Sequence, residues 1–233
     1  METRSQLSFA LGSLFLFGGP ALGASVGGTA TLVGEAPAES VIKMNADPKC
    51  LDLYSGPVST SYYIVGDEGQ LANVFVFIRE TPSGNFEASA NPVVLSQKGC
   101  LYQPAVSGIQ VDQMLHIENN DDNLHNVRAL SRANRPFNIA QPSRGVREKT
   151  FKLPEEHLKF KCDIHPWMES YMFVLEHPFF DVTGADGSFD ITGVPAGDYT
   201  LVAWHVKLGE QTRQITVGTD GKASADFAFE VGE

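Results

Sequence analysis

Short β-rich segments broken by turn residues are the feature that most constrains how this chain folds. Runs such as GGTATLV (27–33) and LANVFVFI (71–78) are bounded by Gly, Pro, Asn and Asp. Such punctuated runs are typical of strands joined by turns. No segment of useful length carries apolar residues at the spacing of an amphipathic helix. The sequence therefore predicts an all-β protein.

The beginning of the chain has the layout of a secretory signal peptide. Arg4 precedes an apolar run, Leu7 to Phe17, which is followed by small residues. The run is too short and too rich in glycine for a transmembrane anchor. We expect a signal peptide over residues 1–24, cleaved near Gly23 or Ala24. This predicts an exported, periplasmic protein that does not span the membrane after cleavage.

The charge of the chain excludes two classes of partner. A net charge of −11 argues against nucleic acid and against anionic membrane surfaces. The exception is an Arg-rich segment, residues 128–149, which contains six basic residues and one acidic residue. Two interpretations stay open: a solvated loop, or a docking patch for an acidic redox partner.

The three cysteines divide into a pair and a single residue. An exported chain lies in a compartment where disulfides persist. Cys162 belongs to the motif described next, so Cys50 and Cys100 most simply pair with each other. The alternative is a bridge that includes Cys162, which would destroy the site proposed below. The sequence alone leaves both open.

Residues 161–168, KCDIHPWM, place a thiol, an imidazole and a thioether on one short segment. Cys162 lies at the end of a predicted strand, on its inward face. A further imidazole, His125, lies in an Asn-rich segment after another predicted strand. Two imidazoles and a thiolate with a weak thioether suit both Cu(I) and Cu(II). The pattern predicts a site for one copper ion.

Read together, NNDDNLHNV (119–127) and CDIHPWM (162–168) resemble the two copper-ligand segments of the cupredoxins. The C-x2-H-x2-M spacing is most similar to the amicyanins, and the Asn-rich approach to the plastocyanins. The resemblance covers roughly residues 93–177 and implies a Greek-key β-barrel with a type 1 copper ion. The resemblance further implies which residues bind the copper. His125, Cys162 and His165 would be the three strong equatorial ligands, and Met168 would be the weak axial ligand.

The resemblance also assigns the neighbours of these ligands. Asn126 matches the Asn that ties the two ligand segments together by hydrogen bonds. Asp163 stands where cupredoxins often have a small hydroxyl residue, and its carboxylate would lower the potential or intrude as a ligand. Trp167 lies beside the expected exposed edge of His165. It is either the apolar contact through which the electron leaves or a lid over the metal.

The last part of the chain (178–233) contains TGADGSFDITGVPAGDYTLVAW (183–204) and resembles carboxypeptidase-regulatory-like, transthyretin-type β-sandwiches. The segment GGTATLVGEAP is similar to the first strand of the same module. Residues 25–92 would then complete this sandwich, and the cupredoxin segment, 93–177, would be inserted between its first strands and the rest. The Cys50–Cys100 disulfide would staple the two domains.

These patterns predict a periplasmic one-electron carrier that serves a redox protein, either a cytochrome or a periplasmic dehydrogenase. The alternative is a copper-binding subunit of a larger periplasmic complex, with the terminal sandwich as a docking or carbohydrate-binding module. An enzyme is disfavoured because a type 1 site has no open coordination position. The other histidines are expected to be ordinary surface or core residues: His116, His157, His177 and His205.

Overall fold

The computed structural model describes residues 24–219 and 221–232. Strands dominate these ranges; the helical elements among them are a 3-10 turn, Met44–Ala46, and a one-turn helix, α1, at Pro48–Leu51. The predicted all-β class is confirmed. No helix in the described ranges is long and apolar enough to cross a membrane. The predicted signal peptide lies outside the described residues except for its last position.

The strands are numbered in chain order. Their bounds are β1 Ala24–Val33, β2 Phe75–Ile78, β3 Val93–Lys98, β4 Leu101–Gln103, β5 Val106–Gln110, β6 Leu115–Asn119, β7 His125–Ala129, β8 Phe137–Gln141, β9 Gly145–Lys149, β10 Glu155–Lys161, β11 Glu169–Leu175, β12 Phe180–Val182, β13 Ser188–Val194, β14 Gly197–His205, β15 Gly209–Val217, β16 Lys222–Ser224 and β17 Phe227–Glu230.

Strands from the two ends of the chain share a core. β1 pairs with β13, β16 and β17, and β2 lies in a second sheet in the order β12-β2-β14-β15. Apolar side chains from both sheets form one cluster, including Val26, Val76, Leu201 and Phe227. The division of the chain into an inserted domain and a surrounding sandwich stays a prediction. These pairings are the observation on which it depends.

The middle of the chain forms two further sheets. One has the order β4-β3-β6-β9 and the other the order β5-β11-β10-β7-β8. Alternation of buried and exposed residues along β6 sends Leu115 and Ile117 inward. Together with Val127 and Phe160 they belong to a core separate from the first. The candidate site lies at one end of this core.

The Arg-rich segment, expected as a loop, contains two strands. β8 pairs with β7, and β9 pairs with β6. Both strands lie at sheet edges, and β9 is exposed along most of its length. Because β9 has no buried face, its sequence shows no alternation that would predict a strand.

An aromatic layer joins the two halves of the structure. Phe75 of β2 stacks on Phe173 of β11, with ring centroids 4.1 Å apart and planes inclined by 9°. Trp204 of β14 meets Phe173 edge-on at 5.3 Å. Since all three rings are buried, this contact fixes how the sheets that contain β2 and β11 sit against each other.

Gly108 of β5 lies directly beneath this layer. A Cβ atom there would lie 2.8 Å from the ring of Phe75 and would also collide with Phe180. We predict that Gly108→Ala lowers the free energy of unfolding by about 1–3 kcal/mol, because the added methyl overpacks the layer. Urea denaturation measures the effect, with Gly56→Ala, a change into open space, as control. Equal stabilities of the two variants would contradict the prediction.

Candidate metal centre

Strand pairing brings the two predicted ligand segments together. β10 pairs with β7, so Lys161 lies opposite Arg128 in the sheet. Cys162 follows directly on β10, and His125 is the first residue of β7. The four predicted ligands are all buried within the described structure: His125, Cys162, His165 and Met168.

Three of the four predicted ligands face one another. The Nδ1 atoms of His125 and His165 are 3.0 Å apart. The Sγ atom of Cys162 lies 3.8 Å from Nδ1 of His165. One ligand atom from each of the three residues lies within 4.8 Å of the others. The distances are short enough for a single ion to contact all three.

Met168 closes the segment that carries two of these residues. Its backbone N–H donates to the carbonyl of His165 at 2.9 Å, and its carbonyl accepts from the N–H of Cys162 at 3.1 Å. The backbone N–H of His165 also donates to Cys162 Sγ at 3.4 Å. The side chain of Met168 is fully buried in the same core cluster as Cys162. Its contact with a metal stays a prediction.

Cys162 is the free thiol of the described residues, because Cys50 and Cys100 form a disulfide. The competing bridge to Cys162 is therefore not formed. Burial raises the pKa of Cys162, but hydrogen bonds from His125 and His165 outweigh it and lower this pKa to about 5. The side chain is thus a thiolate at neutral pH, the form that binds soft metals.

Asn126 bridges the two ligand segments. Its Oδ1 accepts from the backbone N–H of Asp163 at 2.8 Å and lies 3.3 Å from Cys162 Sγ. Its Nδ2 donates to Asn138 at 2.6 Å. These bonds hold His125, the preceding residue, in register with Cys162. The effect of Asn126 on a bound metal stays a prediction.

The carboxylate of Asp163 is engaged at the surface. Its oxygens accept from Nδ2 of Asn138 at 2.8 Å and lie 3.3 Å from Lys161 Nζ and 3.5 Å from Arg128 Nη1. The side chain is not among those that face one another around Cys162 Sγ. The arrangement favours a role for Asp163 as a nearby charge over a role as a ligand.

Each imidazole has a carboxylate on its far side. Nε2 of His125 lies 3.0 Å from Oδ2 of Asp121, and Nε2 of His165 lies 2.9 Å from Oδ2 of Asp47. A carboxylate accepts, so the Nε2–H of each ring donates to its carboxylate. The two Nδ1 atoms face each other on the side of the rings where Cys162 lies. Neither carboxylate was predicted from the sequence. Asp121 lies within the Asn-rich segment, 119–127, whereas no motif indicated Asp47.

The expected exposed edge of His165 is wrong. The residue is 1% exposed, because α1 and the turn before it lie over the imidazole. The sulfur of Cys50, in α1, is 3.5 Å from Nε2. Burial lowers the pKa of His165, but hydrogen bonds to Cys162 and Asp47 raise it above its ordinary value. The hydrogen bond to His165 in turn lowers the pKa of Asp47.

Trp167 is the half-buried residue of the same loop. Its Nε1–H donates to the carbonyl of Cys100 at 2.9 Å, and its ring lies 5.1 Å from that of His165. It also lines a depression of about 350 Å³ together with Tyr62 and Tyr171. Trp167 thus lies between the candidate ligand and the surface, and its role toward a metal stays a prediction.

The remaining histidines have ordinary partners. His116 lies 3.5 Å from Glu148 on the surface. Nε2 of His205 lies 2.9 Å from the carbonyl of Tyr62, and Nδ1 of His177 accepts from a backbone N–H at 3.2 Å. Burial lowers the pKa of both. His157 is exposed and lies beside the carboxylates of Glu156 and Glu210, as expected. One side of its ring also packs against Phe173 and Trp204.

No protein-family model matches the chain, and no curated protein matches it. Among solved structures, a copper-containing nitrite reductase from Thermus scotoductus SA-01 is 22% identical, with a TM-score of 0.35. The match covers 42% of this chain and 25% of that enzyme. The present chain therefore spans about a quarter of the nitrite reductase.

Two smaller copper proteins also match. A mutant of amicyanin in its Cu(I) form is 16% identical over 42% of this chain and 97% of its own, with a TM-score of 0.33. A purple cupredoxin from Nitrosopumilus maritimus is 20% identical over 36% and 97%, with a TM-score of 0.30. Identities and TM-scores this low do not assign a function to the present chain.

Proposed function

We propose that the chain is an exported type 1 copper protein that passes single electrons between redox partners. The observation that carries this proposal is the buried group of His125, Cys162 and His165, whose ligand atoms lie within 4.8 Å of one another. A thiolate and two imidazoles form the trigonal set of blue-copper electron-transfer sites, with a weak thioether as the usual axial ligand.

The donor set fits copper better than zinc. Structural zinc sites use four strong N or S ligands in a tetrahedron, and catalytic sites keep an open position for water. Here three strong donors are followed by a buried thioether, Met168. His125 and His165 would hold copper through Nδ1, and Cys162 through Sγ. A bound copper ion would supply a one-electron couple between Cu(I) and Cu(II).

The protein would contribute orientation and the exclusion of water. The carboxylates of Asp47 and Asp121 hold the imidazole tautomers through Nε2. Asn126 fixes the distance between the two ligand segments through its bond to Asp163. Because all four ligands are buried, water has little access to the metal position. A site organised before the metal arrives changes little between the two oxidation states.

The partner is proposed to be a redox protein, a cytochrome or a periplasmic dehydrogenase. Basic side chains on β7, on β9 and in the loops on either side of β8 support a docking role for the segment 128–149. Arg132 and Arg135 are exposed and form no ion pair among the described residues. On an otherwise acidic chain, such a patch would steer an acidic partner, and salt would weaken the association.

A second candidate is a copper-binding subunit of a larger periplasmic complex. The observation that favours it is the core outside the copper segment, which is formed by β1, β2 and the strands from β13 onward. A diffusing carrier needs the copper segment alone, so these strands are free to bind another protein or a glycan. Stable co-purification in a larger assembly would support this candidate over the carrier.

Reconstitution with Cu(II) tests the proposed function. The mature protein should bind one equivalent, develop an intense visible absorption from thiolate-to-copper charge transfer, and show a reversible one-electron wave in voltammetry. Zn(II) should compete for the same site without producing colour. A protein that binds Cu(II) without this absorption, or that binds none, would contradict the proposal.

A further inference from the structure

We propose that Asp47 is a positioning residue for His165, and that the segment carrying it closes the outer edge of the metal site. The inference rests on the proposed copper site and adds a feature supplied from elsewhere in the chain. Asp47 and His165 are separated by 118 positions, and Asp47 lies outside the predicted copper segment, 93–177. The two ligand segments, 119–127 and 162–168, do not contain Asp47 and do not predict its contact with His165.

Both oxygens of the Asp47 carboxylate have defined partners. Oδ2 lies 2.9 Å from Nε2 of His165. Oδ1 accepts from the backbone N–H of Lys49 at 3.0 Å, and Asp47 is thereby the N-cap of α1. The helix start fixes the orientation of the carboxylate. The carboxylate in turn holds the proton of His165 on Nε2 and leaves Nδ1 for the metal.

The disulfide fixes this segment over the site. Cys50 of α1 is bonded to Cys100, and Cys50 Sγ lies 3.5 Å from Nε2 of His165. The backbone N–H of Cys100 donates to Asp121 at 2.8 Å, and Asp121 holds the other imidazole. The same bridge therefore stabilises the positions of both carboxylates that face the two imidazoles.

Two consequences follow for the metal. A carboxylate hydrogen-bonded to a ligand imidazole makes it a stronger donor and stabilises Cu(II) relative to Cu(I). Removal of the Asp47 charge should therefore raise the reduction potential. In addition, His165 is 1% exposed beneath the segment, so electron exchange is directed to the half-buried ring of Trp167, 5.1 Å away.

The test compares Asp47→Asn with wild type in the copper-loaded, full-length mature protein. Asn preserves the shape of the side chain and removes its charge. The relative affinity for Cu(I) over Cu(II) should rise about tenfold, which is a potential higher by about 59 mV for a one-electron couple. Asp52→Asn is the matched control, since Asp52 lies at the other end of α1 and should leave the potential unchanged. Asp47→Glu should recover part of the shift.

A potential of Asp47→Asn equal to that of wild type, with copper bound in both, would overturn the role of Asp47 and leave the copper site standing. A metal-free readout separates the two failures. Nitrogen NMR of wild type without metal, at a pH where the imidazole is neutral, should show His165 protonated at Nε2. Protonation at Nδ1 would refute the inference whether or not copper binds and whether or not the variant folds.

Discussion

Cys162→Ser is expected to leave the copper-loaded protein without its intense visible absorption. The absorption requires a copper–thiolate bond, and a serine hydroxyl does not ionise at neutral pH to replace it. Cys162 is buried in a core that includes Phe160 and Met168. Because the substitution replaces a single sulfur atom by oxygen and leaves no large cavity, the fold should be preserved. Optical and electron paramagnetic resonance spectra, with thermal unfolding as a check of folding, measure the outcome.

Ile164→Ser is the matched control for this variant. Ile164 lies between Cys162 and His165 in the same loop but is exposed. Its replacement should keep both the colour and the copper stoichiometry. If Cys162→Ser retained the absorption, or if both variants lost it equally, the thiolate of Cys162 would not be the ligand.

Removal of the disulfide should produce the largest loss of stability among these variants. The two cysteines are separated by 50 positions, and closing a loop of that length is worth about 4 kcal/mol in the chain-entropy model. The double variant Cys50→Ser, Cys100→Ser should unfold at a correspondingly lower urea concentration. Amide hydrogen exchange in the segment Met44–Leu51 should also accelerate, because the helix loses its covalent attachment above His165.

The double variant Cys50→Ala, Cys100→Ala is the control, because the serine variant also buries two hydroxyl groups where the disulfide was. Both sulfurs are fully buried, so a serine without a partner adds a cost of its own. The two double variants should share the accelerated exchange in Met44–Leu51. A double variant as stable as wild type, with unchanged exchange in that segment, would contradict the role of the disulfide as a staple.

The sequence was most informative where local pattern and chemistry coincide. Cys162 was predicted to lie on the inward face at the end of a strand, and the structure buries it directly after β10. The spacing of Cys162 and His165, the Asn-rich segment that contains His125 and the resemblance to the cupredoxins together grouped three side chains that the structure brings together. The structure makes His125 the first residue of β7, whereas the sequence predicted only that it follows a strand. The role of these side chains toward a metal stays a prediction.

The surroundings of the site depend on contacts that no local pattern encodes. Asp47 reaches His165 across 118 positions, and neither residue carries a signal of the other. The expected exposed edge of His165 was wrong for this reason: the segment that covers it comes from a loop-rich region without periodicity. The contact of Asp121 could have been predicted from the sequence, because this residue lies only four positions before His125. A carboxylate so close in sequence is a plausible hydrogen-bond partner for the imidazole.

Copper-edge X-ray absorption spectroscopy of the Cu(II)-loaded wild type decides whether Cys162 and the two histidines hold the metal. We expect one sulfur and two imidazole nitrogens as the nearest neighbours of copper, with the sulfur lost in Cys162→Ser. Nearest neighbours consisting of nitrogen and oxygen alone in the wild type would contradict it.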